Sequence, residues 1–460
     1  MFKDKIYLNS LIKIGVPIAL QQLLFASFSL LDTVMMGQMG ENSIAAVGLA
    51  NQVTFVYTLI IFGITSGASI FSAQYWGVKD IKGIHKVMRL ALLLSAAAGT
   101  LFMAVAVFIP ELALSFYTND TEVIRLGAEY LRIIGFNYLL TGIYFTFGTI
   151  LRTTHHVKIP TAISVVALGG NMLLNYALIF GKLGMPQLGV RGAAFGTLIM
   201  GIFQLIALVS IVYLRKLPAA ISFKGLIKLE GQFIKPYLKT CAPVLMNETL
   251  WALAITTINS IYAHISTESV AAVNISSTVE QFFFAIGIGI ASATGILVGN
   301  QVGAGDTAKA ALYAKRSIKL SAGISLFMGG IIFLTAPLIV NFYQVSELTR
   351  FYAIRLMRAS GSLLWMRSIL VNWVIGIFRP GGDTRFTLLV DGVIIWVVGV
   401  PMAYLGANIL HLPVYWVYLM VTSEEFVKNI FCLFRFRSGK WINKLTEPGE
   451  VAVAEVIPVE

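Results

Sequence analysis

The sequence predicts an all-α integral membrane protein with twelve transmembrane helices in two parallel six-helix repeats, and three observations carry that prediction. The chain is too apolar for a water-soluble domain: 57% of its 460 residues are hydrophobic and 12% are charged, where soluble proteins average about a quarter charged. Apolar runs of about 20 residues or more, enough to cross the hydrocarbon of a bilayer, recur along its whole length. The stretch "GENSIAAVGL" at 40–49 returns as "STESVAAVNI" at 266–275.

Runs between charged or Gly/Pro-rich breaks place spans near 12–36, 45–73, 88–110, 126–151, 160–181, 189–214, 236–263, 269–299, 317–342, 350–378, 386–408 and 412–434. The first run is too long for a cleavable signal peptide and no small-residue cleavage site follows a short apolar core, so it reads as a span. Basic residues fix the expected orientation. Lys79, Lys82, Lys86 and Arg89 crowd one loop, Arg152 and Lys158 another, and Arg215, Lys216, Lys224, Lys228, Lys235 and Lys239 the central linker. Lys309, Lys315, Arg316, Arg379, Arg385, Arg435, Arg437, Lys440 and Lys444 continue on that side, while the opposite loops hold Glu41, Glu111, Asp120, Glu122 and Glu268. The positive-inside rule makes the basic side and both termini cytoplasmic. The net charge of +12 therefore belongs to topology. Nucleic acid is not an expected partner, because the Lys and Arg form no stripe with interleaved aromatics. The acidic tail, 446–460, is expected to be disordered and cytoplasmic.

The offset that carries position 40 to position 266 also pairs Pro17 with Pro243, Ser43 with Ser269, Gly63 with Gly289, Ser66 with Ser292, Gly77 with Gly303 and Asp80 with Asp306. It further pairs Ser95 with Ser321, Phe116 and Tyr117 with Phe342 and Tyr343, Arg132 with Arg358 and Gly135 with Gly361. A tandem duplication of a six-helix unit explains the series. Six spans per unit is an even number, so both copies enter from the same side and are related by a pseudo-two-fold axis along the membrane normal. The expected organisation is an N-lobe at 1–220 and a C-lobe at 221–445. Two such lobes leave a cleft near the midplane that rocking can expose to either side in turn, the mechanics of a transporter. A packed, inert seam in a scaffold or enzyme is the competing reading.

"DTVMMGQMG" closing the first span, "SAQYWGVKD" and "GNQVGAGD" after the second and eighth, and above all "GGNMLLNYALIFGKLGMPQLGVRGAAFGT" at 169–197 resemble the multidrug and toxic compound extrusion (MATE) transporters of bacterial type. The resemblance covers nearly the whole chain apart from the tail. It implies a twelve-helix antiporter, acting as a monomer in the lipid bilayer, that expels cationic or amphipathic compounds in exchange for Na⁺ or H⁺.

Each intramembrane polar residue has a functional and a bland reading. Asp32 lies on the first span, and a carboxylate at mid-membrane costs roughly 2.5–3.5 kcal/mol on insertion scales, so it faces an interior cavity unless it sits near the outer interface. It matches the family's first-helix acid, which is taken to bind the coupling cation. Asn171 and Asn175 share one helix face, and Asn also serves as plain interhelical glue; their match to the family's Asn pair, with Thr197 beside it, implies a cation site with Asp32. In the second lobe Glu248, Glu280 and Asp391 are candidates for substrate binding or coupling, with Arg367 as a salt-bridge partner for one of them. Glu248 falls about one turn before the seventh-helix acid of a well-known branch of the family, and that branch's tenth-helix Asp is missing here. Phe55, Tyr57 and Phe282 to Phe284 are candidate lining for an apolar cleft.

Other chemistries lack their residues. Cys241 and Cys432 stand on separate apolar segments, so neither a disulfide framework nor a CxxC motif is available. The five histidines lie in loops or at span ends without ligand spacing, so no metal site is expected, and no cofactor either. No Walker loop occurs, which excludes ATP as the direct energy source. No nucleophile with its base and no cluster of His and Asp suggests a membrane-embedded enzyme. The remaining alternative is a lipid-linked sugar flippase of related architecture, which needs several basic residues in the cleft to hold a pyrophosphate; mid-span Arg and Lys are few.

Overall fold

The computed structural model describes residues 5–222 and 231–446, apart from the side chains at 6, 29–34, 36 and 41. Twelve long helices fill them. The first six are α1 (Lys5–Gly37), α2 (Glu41–Gly77), α3 (Ile81–Phe108), α4 (Thr121–Thr153), α5 (Lys158–Phe180) and α6 (Val190–Leu214). The last six are α7 (Gly231–Ile265), α8 (Thr267–Gly303), α9 (Thr307–Val340), α10 (Glu347–Phe378), α11 (Thr384–Ile409) and α12 (Val414–Arg437). A short turn of helix at Pro110–Ser115 joins α3 to α4. Among the described residues eleven helices, α1 to α11, are long and apolar enough to cross a membrane. The twelfth carries Glu424, Glu425 and Lys428 inside its run, which lowers its hydropathy and gives it the role described below.

Capping side chains explain where the helices begin, and the caps recur with the sequence. A helix start leaves backbone N–H groups without intrahelical partners, and a short polar side chain just before it accepts from one of them. Asp80 accepts from Gly83 N at 2.9 Å to open α3, and its repeat mate Asp306 accepts from Lys309 N at 2.9 Å to open α9. Asp120 opens α4 by accepting from Glu122 N and Val123 N. Ser346, at the equivalent position of the second copy, opens α10 by accepting from Thr349 N. The starts at Glu41, Ile81, Thr121 and Lys158 thus return at Thr267, Thr307, Glu347 and Thr384. These caps lie in the loops, so the helices overrun the apolar runs; α9 begins at Thr307 rather than at the expected 317. The two halves differ in winding: α10 ends in a π-helical turn at Asn372–Phe378, and α11 has three π-helical stretches around Pro401.

Between the halves, α1 packs on α8, α7 on α2, and α2 on α8. Tyr237 and Cys241 of α7 belong to the same buried cluster as Phe71 of α2, and Leu11, Ile14 and Ile18 of α1 to that of Ala293 and Ile296 of α8. The approach is tightest where α2 and α8 end. A Cβ on Gly77 would lie 2.0 Å from Asn300 O, and one on Gly303 would lie 1.9 Å from Gln74 O, so only glycine lets the backbones meet there. The inter-half hydrogen bonds of the described residues, such as Tyr7 to Tyr313 O, Tyr237 to Ile64 O and Gln74 to Pro380 O, gather in the half of the bundle leading to the basic loops. Large apolar side chains such as Leu101, Val166, Leu334 and Phe434 stay exposed on the outside, as a lipid-facing surface requires.

Candidate functional site: a polar cavity and an ion-pair network

Four helices of the first half, α2, α4, α5 and α6, line a cavity of about 430 Å³. Residues at helical spacing line it with one stripe from each wall: Asn51, Thr54 and Thr58 from α2, Asn137 and Thr141 from α4, Asn171 and Asn175 from α5, and Thr197 from α6. The α5 amides hold one another, Asn175 Nδ2 donating to Asn171 Oδ1 at 3.3 Å and Asn171 Nδ2 to Thr197 Oγ1 at 3.2 Å. Thr197 in turn donates to Ala193 O, one turn back on α6. Two glycines of α6 make room for the amides, since a Cβ at Gly196 would lie 2.2 Å from Asn175 Oδ1 and one at Gly201 1.9 Å from Asn137 Oδ1. Across the cavity the Tyr57 hydroxyl donates to Tyr138 O, and Thr54 and Tyr138 share a hydroxyl hydrogen bond of 3.0 Å. Asn137 Oδ1 is buried and accepts no hydrogen bond. The wall therefore offers amide and hydroxyl oxygens, ligands suited to a hard monovalent cation.

The predicted site residues of this half divide cleanly. Asn171, Asn175 and Thr197 meet in the cavity. Asp32 lies on α1, and its side chain falls outside the described residues. Reading the sequence singled out neither Asn51 and Asn137 nor Thr54, Thr58 and Thr141. Their signal was available as a polar stripe at spacings of three and four along α2 and α4.

In the second half the polar groups are charged and paired. Arg367 of α10 donates from Nη1 to Glu280 of α8 and from Nε to Glu425 of α12 at 2.8 Å. Lys428 of α12, 1% exposed, pairs with Asp391 of α11 at 3.1 Å and with Glu424 at 2.5 Å. Asn247 of α7 donates to the other oxygen of Asp391. Arg379, just past α10, donates to Glu248 of α7 at 2.6 Å. So Glu248, Glu280 and Asp391 each have a base, Arg367 takes the Glu280 offered to it by the sequence, and α12 supplies three charges that the sequence reading passed over. Among the described residues of this network five carboxylates face three bases. Twice, two carboxylates share one cation. Of the proposed apolar lining, Tyr57 borders the polar cavity, while Phe283 and Phe284 pack on the core of the second half.

At the basic-loop end the seam itself is polar. His155 lies in the turn between α4 and α5, and Asn300 of α8, its amide oxygen turned to the ring, accepts from Nε2 at 2.7 Å while its nitrogen donates to Ala73 O at 2.7 Å. Burial, with Lys79 and His156 nearby, pushes the His155 imidazole down to about 4, so it is neutral at physiological pH. Lys79 sits 3.9 Å over the Trp76 ring.

Comparison with known proteins follows the duplication. The MatE family model matches residues 17–177 and then, beginning at the repeat mate of Pro17, residues 243–405. "Uncharacterized transporter YisQ" of Bacillus subtilis (strain 168) is 24% identical over 446 residues, covering 95% of each chain. "Probable multidrug resistance protein NorM" of Thermotoga maritima is 24% identical over 440 residues, covering 94% of this chain and 93% of that one. An outward-facing multidrug resistance MATE transporter of the MOP superfamily has the same fold, with a TM-score of 0.84 at 20% identity over 94% of this chain and 96% of that one. A MATE crystal structure in complex with MaL6 superposes with a TM-score of 0.86 at 19% identity, with the same coverage of both chains. The chain belongs to the MatE family: it is a multi-pass membrane protein of the MATE secondary-transporter type, not an enzyme.

Proposed function

We propose that this protein is a cation-coupled antiporter that exports cationic or amphipathic small molecules by alternating access. The observation that carries the reading is the cavity of about 430 Å³ with its amide and hydroxyl lining, on the helix face where the sequence resembles the family's cation site. Asp32, Asn171, Asn175 and Thr197 hold the coupling ion, Na⁺ or H⁺. The two halves are parallel repeats about a pseudo-two-fold axis along the membrane normal, a reading supported by the doubled family match and the recurring caps. All twelve long helices cross the membrane and both termini are cytoplasmic. With its seam held at the basic-loop end, the protein stands in an outward-facing state. In the second half Glu248, Glu280 and Asp391 face the substrate. Their network carries two carboxylates more than bases, a field that favours a cationic ligand in a low-dielectric cleft.

The energetics allow one ion per cycle for a neutral substrate. Export against a hundredfold gradient costs about 2.7 kcal/mol, and one charge entering across about 150 mV supplies roughly 3.5 kcal/mol. For a monovalent cationic substrate a one-for-one exchange cancels the voltage, so the ion's concentration gradient drives it. The flippase reading loses ground because, among the described residues of the second half, Arg367, Arg379 and Lys428 are each engaged by carboxylates rather than offered to a pyrophosphate. Ethidium accumulation in cells with and without the protein, at varied external Na⁺ and pH, tests the proposal. Lower accumulation that depends on one of the two ions is the expected result, and equal accumulation under every condition contradicts it.

A further inference from the structure

The seam at the basic-loop end holds a pair of buried amides that reach across it in opposite directions. Gln74, fully buried near the end of α2, donates from Nε2 to Pro380 O at 3.0 Å and to Asn443 O at 3.1 Å, and accepts from Leu445 N at 2.8 Å. Every partner belongs to the other half or to the segment that follows α12, and both amide hydrogens are used. Asn300, the repeat mate of Gln74, stands near the end of α8 and bonds back to Ala73 O and His155 of the first half. Each amide thus grips the turn or chain end that leaves the opposite half.

The segment after α12 completes the grip. Trp441 is 1% exposed and its ring stacks on Phe436 at 5.6 Å, while Asn443 N donates to Gly381 O at 2.7 Å. These contacts anchor the segment to the second half. Beyond them, Leu445 packs on the buried cluster of the first half and gives its N–H to Gln74. Residues 441–445 therefore strap one half to the other.

We propose that Gln74 and Asn300 are positioning residues for transport: a reciprocal amide latch that, with the 441–445 strap, holds the basic-loop end of the seam shut and must release for the inner side to open. The hydrogen bonds explain why a latch is available. Buried amides lose their water partners, so they are stable only while the opposite half supplies replacements. Opening that exchanges these partners for water carries a modest net cost, which suits a gate that cycles.

The chain contains its own reporter. The thiol of Cys241, on α7, packs against Gly67 of α2, where an added Cβ would lie 1.9 Å from Sγ, so it is shielded by the seam itself. The other thiol, Cys432, is fully buried inside the second half. The experiment is alkylation of the full-length protein by N-ethylmaleimide in everted membrane vesicles, with both cysteine peptides followed by mass spectrometry. Gln74→Met keeps the volume and removes all three bonds; Asn300→Leu does the same for its mate; a chain ended after Lys444 removes the Leu445 N–H and packing together with everything beyond it. Cys241 alkylation is expected to rise about tenfold in Gln74→Met, several-fold in Asn300→Leu and about threefold in the shortened chain, with Cys432 unreactive throughout. Rates equal to wild type in all three overturn the latch, and so does a parallel rise at Cys432, which marks general loosening. The proposal rests on alternating access. Ethidium transport by the same vesicles separates the two: a Cys241 rate that depends on Gln74 without any transport retires the export reading and leaves the latch standing.

Discussion

Thr54 and Thr141 line the cavity of the first half, and their repeat mates are Glu280 and Arg367, which form an ion pair in the second. Asn171 and Asn175 likewise correspond to Val397 and Pro401. Positions 226 apart, in two halves that each match the same family model, have taken opposite solutions to placing polar groups among long apolar helices. Small neutral groups leave an open cavity, to which the proposed site adds the carboxylate of Asp32, a group that can change its charge as an ion enters or leaves. Long charged groups fill the equivalent space and lock one another. A carboxylate with a buried guanidinium or ammonium partner already has its counter-ion, and removing that partner costs more than the pair contributes. On this account the first half exchanges the ion, while the second half offers the substrate more carboxylates than bases.

Four variants sharpen that contrast. Lys428→Met leaves Asp391 and Glu424 without their base and is expected to cost about 3–5 kcal/mol of stability, read as a lowered melting temperature in detergent. A melting temperature equal to wild type means the network is not held by pairing. Asn175→Ala, in the other half, should keep the fold and raise the ion concentration needed for half-maximal export about tenfold, from the loss of one ligand worth about 1.4 kcal/mol; unchanged ion dependence removes Asn175 from the site. Glu425→Gln keeps the Arg367 pair with Glu280 and lowers the surplus by one charge. It should weaken apparent ethidium affinity a few-fold without altering ion dependence, and an altered ion dependence moves coupling into the second half.

The smallest effect concerns pH at the seam. His155 titrates at about 4 in the fold and near 6.5 when unfolded, so between those values the unfolded chain binds more protons. Stability is therefore fully present above about 6.5 and falls as the pH drops toward about 4. His155→Gln, which keeps a donor and cannot titrate, should flatten the acid side of the stability profile within that window, as measured by thermal melting at stepped pH. An unchanged profile means that His155 carries none of the acid sensitivity.

The sequence reading placed a long helix on each of its twelve runs, eleven of them legible because apolar length is a local property, but it began two spans at 88 and 317, whereas the caps Asp80 and Asp306 start those helices at Ile81 and Thr307. Asn171, Asn175 and Thr197 were legible because two lie one turn apart and the family motif contains all three. The ion pairs of Glu424, Glu425 and Lys428 were not legible. Glu424 and Lys428 stand four apart on α12, but the partners across the bundle, Arg367 of α10 for Glu425 and Asp391 of α11 for Lys428, leave no mark in the spacing of α12. Gln74 escaped notice for the same reason, since a glutamine near a helix end looks solvated until the far end of the chain is found packed on it. Asp32 remains the residue whose role rests on the sequence.

Gradient-driven ethidium movement in proteoliposomes, with Na⁺ or H⁺ gradients imposed separately on the wild type, Asp32→Asn and Glu425→Gln, tests the division of labour between the halves most directly. The wild type is expected to respond to one of the two gradients. Asp32→Asn, present in normal amount, should lose that response altogether because an amide keeps the shape of the side chain but cannot alternate its charge. Glu425→Gln should keep the response at reduced affinity. The reverse pattern, with Asp32→Asn still driven by the gradient at the wild-type rate and Glu425→Gln uncoupled from it, would contradict the account and place ion exchange in the second half.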